Sequence, residues 1–335
     1  MNKLVVVFLV STGLLAGCDE RGEFDLIPTP TPGTQLETVY MVTDRVPVPD
    51  PAERFGDNRA EVLRYAKATV SIPPVHKPGQ IEWRQTAAPD PARHFVLQDI
   101  QSYDRKSTFM SGVRRDADAR TREVVLFVHG FNVNTPEAVY RVAQISQDFG
   151  SDDPVVLYLW PSAGHPAAYV YDRDSVNFSR DGLEDVLLSL TRDQGMQVFI
   201  LAHSMGTQLV METLRQISIS GRGSALNQVS GIALFSPDID DEVFLRQAER
   251  IRPLPRPFVI FISRKDRALN LSALLTGKQE RLGSISDPER LKDLSIQVID
   301  LTELTEGGLG HSTAFSSPLA IEMIQRLRRE SGLFQ

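Results

Sequence analysis

Residues 198–214 read VFILAHSMGTQLVMETL, and this stretch decides the fold. Its first part, 198–202, is an unbroken apolar run of strand length. Its second part places Leu209, Val210, Thr213 and Leu214 at helical spacing, with Ile217 continuing the same face. Between them lies Ala202-His203-Ser204-Met205-Gly206, a small-x-Ser-x-Gly turn with Ala at its first small position. Short matches of this kind arise by chance; a match seated between a strand and a helix is informative. There the turn lifts the serine above the end of its strand, and small neighbours leave room for the strained backbone.

The same alternation repeats on both sides. Apolar runs at 124–128 (VVLFV), 155–160 (VVLYLW), 232–235 (IALF), 258–262 (FVIFI) and 296–301 (IQVIDL) are continuous, as buried parallel strands require. Helical periods separate them. Thr135 is the expected N-cap, with Pro136 at the first helical position. Ala138, Val139, Val142, Ile145 and Phe149 then make an apolar face before the stop at Gly150. Leu183, Val186, Leu187 and Leu190 form a second face, and Ala320, Ile321, Ile324 and Leu327 another near the end. Earlier runs at 38–42, 68–72 and 95–97 sit among Pro and Gly and read as an antiparallel lead-in. The expected class is α/β: one domain over 36–335 with a mainly parallel central sheet and helices on both faces.

Composition narrows the partners. The 335 residues carry 36 Lys and Arg against 43 Asp and Glu, a net charge of -7, which disfavours nucleic acid. A single cysteine, Cys18, excludes a disulfide framework, and six scattered histidines suggest no metal site. With 41% hydrophobic residues and a mean hydropathy of -0.17, the chain is neither disordered nor multi-spanning. Residues 4–17, LVVVFLVSTGLLAG, follow Lys3 and have the length of a signal-peptide apolar region. Leu15-Ala16-Gly17-Cys18 resembles a bacterial lipobox, which implies cleavage after residue 17, lipidation at Cys18 and attachment to the cell-envelope membrane, facing the periplasm or exterior. Residues 18–35, charged and then Pro-Thr-rich, are expected to form a tether without a core.

A serine on such a turn is a candidate nucleophile and needs a base, an orienting acid and an oxyanion hole. In the order Ser, acid, His, only His311 follows Ser204, in a Gly-rich loop before the last helix. Asp266, just past FVIFI, is the expected acid; Asp238, past IALF, is the alternative. The oxyanion amides fall to Met205 and Phe131, the latter in Val128-His129-Gly130-Phe131-Asn132. His129 reads as a loop-orienting residue rather than a base. No cofactor is needed.

Together with Thr43-Asp44-Arg45, Trp160-Pro161-Ser162, Tyr171-Asp172-Arg173 and Gly310-His311-Ser312, these motifs resemble a bacterial branch of the α/β-hydrolase superfamily over residues 36–330. The resemblance implies a serine hydrolase acting on a small-molecule ester or acyl-lipid through Ser204. Two other readings stay open: an idle hydrolase fold serving as a binding or scaffold lipoprotein, and an acyltransferase using the same residues.

Overall fold

The computed structural model describes residues 21–85, 88–192, 195–277, 280–305 and 309–331. The export segment expected at 1–17 and Cys18 lie outside them, as does the side chain of Leu327. Nine strands, β1 (Gln35–Pro47), β2 (Phe55–Ile72), β3 (Val96–Tyr103), β4 (Glu123–Val128), β5 (Val155–Leu159), β6 (Gln197–His203), β7 (Val229–Phe235), β8 (Phe258–Ile262) and β9 (Gln297–Asp300), form one sheet. Their order is β3-β2-β1-β5-β4-β6-β7-β8-β9. β2 pairs antiparallel with β1 and β3, and all other pairings are parallel.

Two apolar cores, one per sheet face, explain the unbroken runs. Along β6, Val198, Ile200 and Ala202 enter one core while Phe199 and Leu201 enter the other. Both sets of side chains leave water, each large one contributing about 1.5–3 kcal/mol of burial. The first core is covered by α1 (Lys106–Asp118), the helix α3 (Tyr169–Leu190), α4 (Met205–Ile219) and α5 (Asp241–Arg250). The second is covered by α2 (Thr135–Phe149) and by α7 (Thr313–Ser316) with α8 (Pro318–Ser331). A further helix, α6 (Arg267–Thr276), follows β8 directly.

Two local expectations need correction. The N-cap of α2 is Asn134, not Thr135: its side chain accepts from Glu137 N while the Glu137 carboxylate accepts from Asn134 N, each at 3.0 Å. This reciprocal box satisfies two orphan amides at once, which a lone threonine does not. Thr135 instead donates to the Phe55 carbonyl at 2.6 Å. The second concerns the stretch expected as a tether, which contributes to the core from residue 21 onward. Phe24 is 5% exposed and packs edge-on against Tyr140, Phe24 N donates to Ala52 O, and Leu26 bridges to Leu97. A single well-placed aromatic overrides the polar composition around it. Helix α1 was not expected either; Ser, Gly and Arg interleave its buried Phe109, Val113 and Ala117 and hide the period.

Candidate active site

Ser204 stands between β6 and α4 with φ 51°, ψ −124°, a left-handed conformation costly for a residue with a Cβ. Close packing holds it there. A Cβ on Gly206 would collide with the His129 carbonyl, and one on Gly130 would lie 2.8 Å from Ser204 Cβ, so the loop after β4 lies directly against the turn. Ser204 N donates to Phe235 O at 2.9 Å, and Asp238 N donates back to Ser204 O at 3.2 Å.

His311 and Asp266 meet here. His311 Nδ1 donates to Asp266 Oδ2 at 2.7 Å, with the aspartate side chain fully buried and the imidazole 18% exposed. The other oxygen, Oδ1, accepts from Leu269 N at 3.0 Å and caps α6. One carboxylate therefore starts a helix and orients an imidazole. His203, next to Ser204, gives its Nε2–H to the His311 carbonyl at 3.2 Å and sets its ring 4.7 Å from the His311 ring. That contact brings the His311 loop to the turn. Ser204 Oγ and His311 Nε2 have no hydrogen-bond partner among the described residues, and the serine–imidazole bond is one that often tightens only around substrate. Burial and the neighbouring His311 push the His203 pKa well below the ordinary range, so His203 stays neutral.

Asp238 is not brought to His311. It is 3% exposed; its Oδ1 accepts from Arg281 Nε and Ser272 Oγ, both at 2.6 Å, and its Oδ2 accepts from Tyr169 OH at 3.0 Å. Helix α5 is capped by Asp240, two residues further on.

The loop after β4 is held by residues whose roles the motifs did not reveal. Asp172 accepts from Asn132 N at 3.3 Å and Ser162 Oγ at 2.5 Å, and Ser162 Oγ accepts in turn from Val133 N at 3.2 Å. Fully buried Arg45 donates to the carbonyls of Val133 and Trp160 at 2.8 and 2.9 Å. These contacts take the amides of Asn132 and Val133, while the Phe131 amide stays unbonded among the described residues. Met205 opens α4, where the first amides have no intrahelical acceptor. His129 stacks on Trp160 at 4.9 Å with both ring nitrogens against backbone carbonyls. Burial, aided by the Arg45 charge, pushes its pKa down to about 3, too weak for a base. Trp160 itself is fully buried core. For Arg45 the sequence offered only the charged pair Asp44-Arg45 in an otherwise apolar stretch, which does not say what the guanidinium holds; for Asp172 and Ser162 there was no signal beyond their motifs.

A cavity of about 650 Å³ opens beside the turn, lined by Gly130, His203 and Ser312 on the Ser204 side. A larger groove of about 1040 Å³ lies along α4 and α5 among surface charges and contains none of these residues. No group of His, Cys, Asp and Glu among the described residues is arranged to hold a metal ion.

The elbow, the sheet order and the helix placement are those of the α/β-hydrolase fold. Residues 105–329 match the model of a family described as an alpha/beta hydrolase of unknown function, DUF900. The chain belongs to this family. No curated protein matches the chain. Among solved structures it is similar to lipase B of Aspergillus fumigatus, with a TM-score of 0.40 at 14% identity over 70% of this chain and 63% of the lipase. A dienelactone hydrolase of Anabaena variabilis gives 0.40 at 12% over 90% and 97%, and Thermogutta terrifontis esterase 2 gives 0.40 at 12% over 92% and 98%. Likenesses this distant carry no argument about chemistry, which rests on the residues themselves.

Proposed function

We propose that the protein is a serine hydrolase that cleaves carboxylic esters through an acyl-enzyme. The observation that carries this is the Asp266–His311 pair at 2.7 Å beside a serine held at φ 51° on the elbow. With Nδ1–H donated to Asp266, Nε2 of His311 is left as the acceptor for the Ser204 proton. Ser204 Oγ then attacks the ester carbonyl carbon as its proton passes to Nε2. The amides of Phe131 and Met205 meet the developing oxyanion. Collapse breaks the bond to the alcohol, which leaves with the proton from His311. Water repeats the sequence on the acyl-enzyme, releasing acid and restoring Ser204.

The basic, apolar, small-residue order ending at Cys18 supports export and lipid anchoring. One experiment addresses both parts: the full chain is expressed in a bacterium, fractionated and labelled with a fluorophosphonate probe. The labelled band is expected with the membranes, absent in Ser204→Ala and moved to the soluble fraction in Cys18→Ser. Labelling that survives Ser204→Ala removes the nucleophile; a Cys18→Ser protein that stays with the membranes removes the anchor.

A further inference from the structure

The cavity beside the elbow contains a cation that the hydrolytic steps do not use. Arg141, on α2, lines it together with Trp83, Phe127 and Phe315, and its guanidinium carbon sits 5.5 Å from the Phe315 ring centroid. The other charges around the cavity are matched. Arg84 pairs with Asp25 at 3.0 Å and Glu23 at 3.3 Å, and Glu137 pairs with Arg21 at 2.7 Å. Arg141 has no carboxylate within ion-pair distance among the described residues. Its Nη1 donates to Gln144 Oε1 at 2.7 Å, and Gln144 passes on to Asp148, whose carboxylate is already engaged by His76 and Gly79 N. Burial lowers the Arg141 pKa to about 10, leaving it charged at neutral pH. A cation held out of water with no carboxylate in direct contact, opposed only at a distance by Asp148 and Glu137, is further stabilised by an anion that reaches it, and a guanidinium fork suits a planar carboxylate.

We propose that Arg141 is the specificity determinant of the site, binding a carboxylate carried by the ester substrate in the cavity next to Ser204. One guanidinium without a direct ion pair offers a fork for one planar carboxylate group, the second carboxylate of a diacid staying toward solvent; a phosphate dianion, with both charges on one group, would call for a second free cation there, and Arg84 is already paired. The cavity's volume falls in the range of small-ligand sites. The substrate class rests on the serine-ester reading, whereas the anion site does not.

The test separates the two. Binding of glutarate, the probe, is measured by calorimetry on Ser204→Ala protein with and without Arg141→Gln. Loss of a charge-assisted contact is expected to weaken glutarate about 10–100-fold, with Arg141→Lys in between. On active protein, kcat/KM for mono-p-nitrophenyl glutarate relative to p-nitrophenyl valerate is expected to fall by a similar factor in Arg141→Gln, through KM rather than kcat. Failure of the unaltered cavity to bind glutarate overturns the proposal even if Arg141→Gln does not fold. So does inorganic phosphate binding as tightly as glutarate, or affinity that Arg141→Gln leaves intact. An active protein without preference for the acidic ester overturns the substrate class. Glutarate bound at Arg141 with no ester turnover counts instead against the hydrolase reading.

Discussion

Two histidines in this molecule are bound to carboxylates at nearly the same distances and have opposite prospects. His311 meets Asp266 at 2.7 Å, and His76 meets Glu82 at 2.8 Å and Asp148 at 2.9 Å. The difference is the second ring nitrogen. His76 has a carboxylate on each side, so it is fixed as a doubly donating cation. Burial disfavours that charge, but the hydrogen bonds to Asp148 and Glu82 outweigh it and raise the pKa to about 9. His311 spends only Nδ1 on its aspartate and keeps Nε2 open beside Ser204. A histidine beside an acid thus identifies no site; what sets His311 apart is a ring nitrogen without a partner among the described residues, on a loop held against the Ser204 turn through His203. Asp238 repeats the lesson from the acid's side: it is as buried as a triad acid, yet Arg281, Ser272 and Tyr169 consume it.

The contrast breaks first at Asp266. Asp266→Asn keeps an oxygen to cap α6, so the fold is expected to persist, while the imidazole loses the partner that fixes its tautomer. Turnover of a p-nitrophenyl ester is expected to fall on the order of ten-thousandfold in kcat. A loss below tenfold in a folded variant would show that Asp266 is only a cap.

Asp238→Asn is expected to act on stability instead. It leaves Arg281, itself 4% exposed, without a counter-charge and costs about 3–5 kcal/mol, read from urea unfolding. Fluorophosphonate labelling should persist wherever the variant is folded. Unaltered stability together with lost labelling would exchange the roles of the two aspartates.

The smallest effect is a pH dependence. The folded protein holds the His76 proton more tightly than the unfolded chain, so its contribution is full below about pH 6.5 and is lost as the pH rises through about 9. Unfolding free energies measured across that window should decline in the unaltered protein, and the decline should be shallower in His76→Gln. Parallel curves would remove His76 as a buried cation.

The sheet was legible because its strands are buried on both faces, and a run such as VVLFV admits few other structures. Ser204 and His311 could be picked out as candidates for a reason of order: the elbow needs a strand before it and a helix after it, and one histidine follows it in the sequence. Asp266 and Asp238 look alike in sequence, since both follow a strand and precede a helix. Only side-chain partners distinguish them, and these lie some tens of residues away in the chain. Arg45 and Asp172 were illegible as supports because their targets are backbone atoms of residues 131–133 and 160, which carry no sequence signature. The docked segment at 21–34 was missed because composition averages over Phe24.

That segment has a practical bearing on where the protein begins. Arg21 binds Asn132 Oδ1 and Glu137, and the Asn134 side chain donates to the Gly22 carbonyl, so the chain enters the domain along a wall of the Arg141 cavity. An expression boundary drawn at residue 36, where the apolar pattern starts, would bare the Tyr140 ring and strip Glu137 of its counter-charge. A boundary before Arg21 keeps both, but any tag fused there emerges next to the cavity, and a removable tag or one at the other terminus is the sounder choice for assays.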